Sequence, residues 1–254
     1  MLLVIDIGNT HVTLGLYDQE HLTTTARLAT DDRLTPDQYA IAIKQVLDLH
    51  GANVAHIDGS ILSCVVPAVG NAVKQAVTLL CGQEPLVVGP GLKSGINIRI
   101  DNPAQLGADL VVGAAGALAK YALPCIVIDM GTATTVTVLD REGNFLGGAI
   151  AAGVRLTLES LASGTAALPS LHPSAPKKVI GTNTVDCMQS GIVYGTAAML
   201  DGLIERMEEE LGESATVVAT GGMSREIVGL CRREILYDEN LLLDGLRRIY
   251  EKNA

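Results

Sequence analysis

Two short segments combine an acid, a glycine and small polar side chains in a way that could handle phosphate. The first, Asp6-Ile7-Gly8-Asn9-Thr10, follows the apolar run Leu2 to Ile5. The second, Asp129-Met130-Gly131-Thr132-Ala133-Thr134-Thr135, follows the apolar run Cys125 to Ile128. A carboxylate at the end of a buried strand is costly unless it binds something. Glycine lets backbone approach a ligand closely. The N–H groups of such a turn can cradle phosphate oxygens while the acid holds Mg²⁺, usually through water. Taken singly, each segment also reads as an ordinary hairpin with a surface acid, because short glycine motifs match by chance. Their recurrence about half a chain apart, each between an apolar and an alternating stretch, is the signature of a two-fold internal duplication. Two facing hairpins with one nucleotide between them would use both copies.

Two further segments could complete such a site. Gly107-Ala108-Asp109 opens a helix rich in Ala and Gly. Asp109 there is either a plain helix-start acid favoured by the dipole or a general base that takes a proton from a hydroxyl attacking a γ-phosphate. Gly221-Gly222, after the apolar run ending at Thr220, is either a strand-to-helix turn or flat backbone against which an adenine lies. The sequence contains no Walker-type lysine loop and no protein-kinase catalytic set, which excludes those two folds on motif grounds.

The elements that must position these residues follow from periodicity. Leu2 to Ile5, the alternation Val12, Leu14, Leu16, and Leu22 to Leu28 read as three strands. Thr35-Pro36-Asp37 starts a helix that Gly51 stops. Gly59 to Val66 is a buried strand, Asn71 to Leu80 a helix, Pro85 to Val88 a strand and Gly107 to Tyr121 a helix. Strands at Cys125 to Ile128, Thr135 to Asp140 and Phe145 to Ile150 repeat the opening pattern. Helices near Arg155 to Ala162 and Met188 to Leu211 and a strand at Ala215 to Thr220 complete the second half. The expected fold is α/β, in two halves, 1–121 and 122–254.

Composition narrows the classes of function. The chain has 254 residues, 48% hydrophobic and 18% charged, as in a globular protein with a sizeable core. Its net charge is −10, with no Trp and one Phe, so neither a basic stripe for a phosphate backbone nor aromatic platforms for bases are available. No apolar run reaches the ~18 residues needed to span a bilayer, and the first ten residues lack a signal peptide's basic start. Neither nucleic acid nor membrane is therefore an expected partner. The five cysteines are scattered and form no C-x-x-C, which reads as reduced, mostly buried thiols in a cytoplasmic protein.

The ordered set of motifs resembles the type III pantothenate kinases. It comprises the two Asp-x-Gly hairpins, Gly89-Pro90-Gly91, Gly107-Ala108-Asp109, the segment Asn183 to Gly191 and Ala219-Thr220-Gly221-Gly222. The resemblance runs essentially from end to end. It implies membership of the superfamily of sugar kinases, actin and heat-shock chaperone ATPases, with duplicated ribonuclease-H-like halves. It also implies ATP-dependent phosphorylation of pantothenate, the first step of coenzyme A synthesis. Carried over by position, Asp6, Ile7, Gly8, Asn9, Thr10, His11, Val12 and Thr13 would hold ATP phosphates, with Asp6 on Mg²⁺ through water. Thr132, Gly221 and Gly222 would also touch ATP. Asp109 would be the base, and Asp129 would ligate a monovalent cation, K⁺ or NH₄⁺. Ile100, Gly107, Ala108, Asp109, Leu110 and Thr184 would line the pantothenate pocket, which a second subunit of a homodimer would help to form.

The sequence departs from the family pattern on the substrate side. Leu110 stands where an Arg follows the Gly-x-Asp, Ile100 where a Tyr is common, and Gly113 where an Asn is usual. Gly164 and Ala167 stand near positions that commonly carry Arg and Lys. Losing the Arg removes a charge-assisted hydrogen bond worth ~1.5–3 kcal/mol. Three readings follow: a working pantothenate kinase with an altered pocket, a nucleotide-binding or regulatory paralogue, or a kinase of a less polar alcohol.

Overall fold

In the computed structural model, which describes residues 1–254, the alternation at the start of the chain becomes an antiparallel meander. Its strands are Leu2–Ile7 (β1), His11–Asp18 (β2) and His21–Ala29 (β3). Helix Pro36–Leu49 (α1) begins in a capping box: the Thr35 hydroxyl accepts from the Gln38 N–H, and the Gln38 side chain accepts from the Thr35 N–H at 2.9 Å. Gly51, at φ +73°, follows its end. Strand Gly59–Cys64 (β4) runs parallel to β1. Helix Pro67–Cys81 (α2) starts earlier than the expected Asn71, because Pro67 occupies its first position. Strand Leu86–Val87 (β5) completes a five-stranded sheet ordered β3-β2-β1-β4-β5.

The same connectivity recurs. After Asn97–Ile98 (β6) and helix Ala108–Lys120 (α3) come Cys125–Met130 (β7), Ala133–Leu139 (β8) and Asn144–Ala152 (β9), again an antiparallel meander. Val154–Gly164 (α4) and Thr184–Leu211 (α5) follow. α5 begins four positions before the expected Met188, since Asn183 caps it by accepting from the Asp186 N–H at 2.9 Å. Thr216–Thr220 (β10) is parallel to β7, and Ser224–Ile227 (α6), Leu236–Tyr237 (β11) and Leu241–Glu251 (α7) close the chain. The second sheet is ordered β11-β10-β7-β8-β9-β6. Apart from the added edge strand β6, it repeats the first, as a duplicated ribonuclease-H-like α/β fold requires.

Two compact units result. The first comprises Met1–Ile96, Asp101–Ala119 and Leu241–Ala254; the second comprises Asn97–Ile100 and Lys120–Asn240. The sequence division at 121/122 groups α7 with the second half, whereas α7 packs on β1 and β4 of the first unit. In that unit Leu3, Ile5 and Ile7 pack under α1 and α2, with Tyr39, Ile43, Val73 and Val77. The alternate residue Val4 faces the other side, with Ile61, Val112, Leu243 and Leu246. Small residues let α3 and α7 touch backbone to backbone. A Cβ on Gly245 would overlap the Val112 carbonyl and lie 3.0 Å from the Gly116 nitrogen.

In the second unit, Ile126, Ile128, Val136 and Val138 pack against Val154, Leu158, Ile192 and Leu200. Thr134 turns toward this core instead of the turn, fully buried and with no partner for its hydroxyl. The hydroxyl-rich second segment therefore offers fewer hydroxyls at its tip than its composition suggests. All five cysteines are free, but only Cys125 is fully buried, so the expectation of mostly buried thiols is not met. No helix is long and apolar enough to cross a membrane.

Candidate functional site

In the first unit, Asp6 lies one residue from the end of β1, where chain direction and register decide its neighbours. β1 sets it opposite Thr13 of β2 on one side and Ser63 of β4 on the other. The Ser63 hydroxyl donates to Asp6 Oδ1 at 2.5 Å. The turn beyond is tied down: the Gly8 N–H donates to the His11 carbonyl at 3.0 Å, the Thr30 hydroxyl donates to the Gly8 carbonyl at 2.7 Å, and the Thr30 N–H donates to the Thr10 carbonyl at 3.0 Å. Asn9, Thr10 and His11 are exposed at its tip. Ile7 and Val12 are buried in the core, so they can serve a ligand only through their backbone.

The helix start expected at Gly107-Ala108-Asp109 is that of α3, with Asp109 in its first turn. Asp109 Oδ1 folds back to accept from the Leu110 N–H at 2.9 Å. A Cβ at Gly107 would overlap that same oxygen, so a side chain there would push the Asp109 carboxylate out of this position. Burial raises the Asp109 carboxyl above the ordinary carboxylate range, against the lowering effect of the backbone N–H groups. Burial also pushes Asp6 up to about 6; Ser63 opposes the rise and the charge of Asp109 adds to it. The structure thus brings Asp6 and Asp109 near enough to feel each other.

This has a consequence for pH. Asp6 rises from 3.8 to about 6 on folding. A raised pKa contributes stability that is full below the ordinary value and is lost as pH climbs through the folded value. Ligand-free protein is expected to lose stability from about pH 4 to pH 7 through this group, and Asp109 acts in the same sense. Thermal unfolding of Asp6→Asn should show a gain of about 3 kcal/mol near pH 8 that vanishes near pH 4. A variant no more stable than the parent at the higher pH would refute it.

The second unit repeats the arrangement with one residue fewer in the turn. Asp129 is opposite Thr135, and the Gly131 N–H donates to the Ala133 carbonyl at 3.0 Å. The Gly153 N–H donates to the Thr132 carbonyl at 3.1 Å, as Thr30 does to Thr10 in the first unit. Thr132 is exposed at the tip, and Asp129 is half-buried. Gly221 lies just past β10 at φ +94°, where a Cβ would be 2.6 Å from Asp129 Oδ1 and 2.7 Å from the Met130 nitrogen. Glycine is demanded there by the positive φ and by the Met130 backbone, which a Cβ would overlap. Gly222 faces open space.

The remaining expected residues are divided between the units. Gly107, Ala108 and Leu110 are with Asp109 in the first, Leu110 half-buried. Ile100 belongs to the second, with its side chain 3.8 Å from where a Cβ on Gly147 would stand. Thr184, the exposed first residue of α5, also belongs to the second. Ser63 and Thr30 are the residues that sequence reading misses. Nothing local marks them; only strand register and turn closure place them beside Asp6 and Gly8.

No group of three or more His, Cys, Asp or Glu side chains is placed to hold a metal ion. A single carboxylate beside a polar turn suits Mg²⁺, which keeps several of its waters and takes few protein ligands when phosphates supply the rest.

A family profile described as type III pantothenate kinase matches residues 2–206. A protein named type III pantothenate kinase from Exiguobacterium sibiricum is 43% identical over 253 residues, covering 100% of both chains. Among solved structures, component A of (R)-2-hydroxyglutaryl-CoA dehydratase from Acidaminococcus fermentans shares 16% identity at a TM-score of 0.58, covering 98% of this chain and 96% of that one. A ROK family glucokinase from Streptomyces griseus, solved with glucose and AMPPNP, shares 16% identity at a TM-score of 0.53, covering 98% of each. At that identity the two structures bear on the fold alone, which they share. Sequence likeness along the whole length carries the closer assignment: the chain belongs to the type III pantothenate kinases.

Proposed function

We propose that this chain transfers the γ-phosphate of ATP to the primary hydroxyl of pantothenate, the entry step of coenzyme A synthesis, in the cytoplasm. The observation that carries it is the convergence of Asp6 and Asp109, two carboxylates with separate surroundings, within a chain matched end to end by a pantothenate kinase. Asp109 accepts the hydroxyl proton as the oxygen attacks phosphorus. Burial raises its pKa, which makes its ionised form a better base than an ordinary carboxylate. Asp6 and the backbone N–H groups of its turn hold the phosphates, with Thr13 on the same face. Asp6 would carry Mg²⁺ through water, a charge that neutralises the phosphates during transfer. Asp129 would hold K⁺ or NH₄⁺, and Thr132, Gly221 and Gly222 would meet the nucleotide.

Leu110 replaces a guanidinium with an alkyl chain in the first turn of α3. Steady-state ADP formation with pantothenate, with K⁺ and with Na⁺ in its place, tests the reading. K⁺-dependent turnover is expected. In Leu110→Arg, KM for pantothenate should fall ~10-fold or more with kcat little changed, since a charge-assisted hydrogen bond is regained. No turnover above background, with ATP still bound, would favour the nucleotide-binding paralogue.

A homodimer goes with this reading. Leu146 and Ile150 on the outer side of β9, and Val179 and Ile180 before α5, are exposed apolar residues within the second unit. Light scattering should give twice the mass of the chain; a monomer at assay concentration would remove the dimer from the proposal.

A further inference from the structure

Strand β4 carries two buried serines, on opposite faces of the sheet. Ser60 is 3% exposed, and its hydroxyl has no partner. Ser63 is 0% exposed, and its hydroxyl donates to Asp6 Oδ1 at 2.5 Å. β1 and β4 are parallel with Asp6 opposite Ser63, so both side chains leave the sheet on the same face. That is the face on which Val4 and Ile61, two residues earlier in each strand, meet Val112 of α3. Ser63 is therefore enclosed by the sheet and by the helix that carries Asp109, and its hydroxyl is committed to a single acceptor.

We propose that Ser63 is a positioning residue: its hydroxyl fixes one carboxylate oxygen of Asp6 and leaves the other to the water shell of the nucleotide's Mg²⁺. The inference rests on the reading of Asp6 given above and adds a residue that no motif contains. A carboxylate on two rotatable bonds at a strand end can turn away from a ligand. A buried donor that cannot itself move removes that freedom before the nucleotide arrives, which is the pre-organisation a water-mediated metal contact needs. Ser63 touches neither nucleotide nor acceptor in this account; it acts through Asp6.

The test is equilibrium binding of a non-hydrolysable ATP analogue by calorimetry, with Mg²⁺ and with EDTA, alongside steady-state kinetics. Ser63→Ala should weaken Mg²⁺-dependent binding about 10-fold, the scale of a hydrogen bond to a charged group, and raise KM for Mg·ATP in step. Binding in EDTA should be unchanged. Ser63→Thr, which keeps the hydroxyl, should restore most of the loss. Ser60→Ala, which removes a hydroxyl with no partner, should match the parent. In an Asp6→Asn background, Ser63→Ala should add nothing, because the two residues act as one unit.

Wild-type affinity for Ser63→Ala in Mg²⁺, or an equal loss in Mg²⁺ and EDTA, would overturn the inference while leaving the kinase reading intact. A parent protein with no Mg²⁺-dependent binding would remove the role of Asp6 and this inference with it.

Discussion

Asp109→Asn is expected to lower kcat by about 100- to 10,000-fold, the usual worth of a positioned general base. Affinity for Mg·ATP should barely change. The amide oxygen of Asn can still accept from the Leu110 N–H, as Asp109 Oδ1 does at 2.9 Å, so the start of α3 stays as it is. Removing a carboxyl that burial disfavours should also leave the variant at least as stable as the parent. Lost rate with retained fold and retained nucleotide binding separates a catalytic role from a structural one. In the parent, kcat/KM should fall as pH drops through the raised pKa of Asp109, because only the ionised form accepts a proton. A variant within ten-fold of the parent kcat would assign the base elsewhere, at a threshold well below the effect expected of a general base.

Gly245→Val carries the largest expected effect on stability. Helix propensity alone favours replacing a mid-helix glycine, with Ala worth about 1 kcal/mol over Gly. Here the added Cβ would overlap the Val112 carbonyl and press on the Gly116 nitrogen, both of them backbone atoms that no rotamer change can clear. Overpacking costs typically 1–3 kcal/mol and more where the neighbours cannot yield. A loss of about 3 kcal/mol is expected, a large part of the ~5–15 kcal/mol that holds a domain together. Denaturant unfolding should show the midpoint falling while the slope is kept. Gly245→Ala should also destabilise, reversing the sign that propensity predicts. A stabilised Gly245→Ala would show that α3 and α7 are not in backbone contact.

Much of the fold is legible in the sequence because its signals are local. The alternation at Val12, Leu14 and Leu16, the capping box at Thr35 and the repeated acid-glycine break after two apolar strands each lie within a few residues. The duplication follows from comparing two such windows. Illegible features depend on which strand lies beside which. Ser60 and Ser63 lie on opposite faces of β4, and only the parallel register with β1 sets Ser63 beside a carboxylate while the Ser60 hydroxyl stays unpaired. Thr134 reads as a ligand-facing hydroxyl until the turn length is known. Pairing Asp129 with Thr135 gives Thr135, not Thr134, the place that Thr13 holds in the first unit. Helix α7 has an obvious apolar face in Leu243, Leu246 and Ile249, but nothing local says on which sheet it rests.

The return of α7 to the first unit sets an order on the making of the molecule. A ribosome delivers the residues of the second unit, as far as Asn240, before it delivers Leu241. The first-made sheet meanwhile has α3 but not α7 over one face, with Val4, Tyr17 and Ile61 short of a cover. Tyr17 finds the Asp244 carboxylate, 2.6 Å from its hydroxyl, only when the last helix emerges. The strand that carries Asp6 thus gains its finished support only after every residue of the second unit has been made.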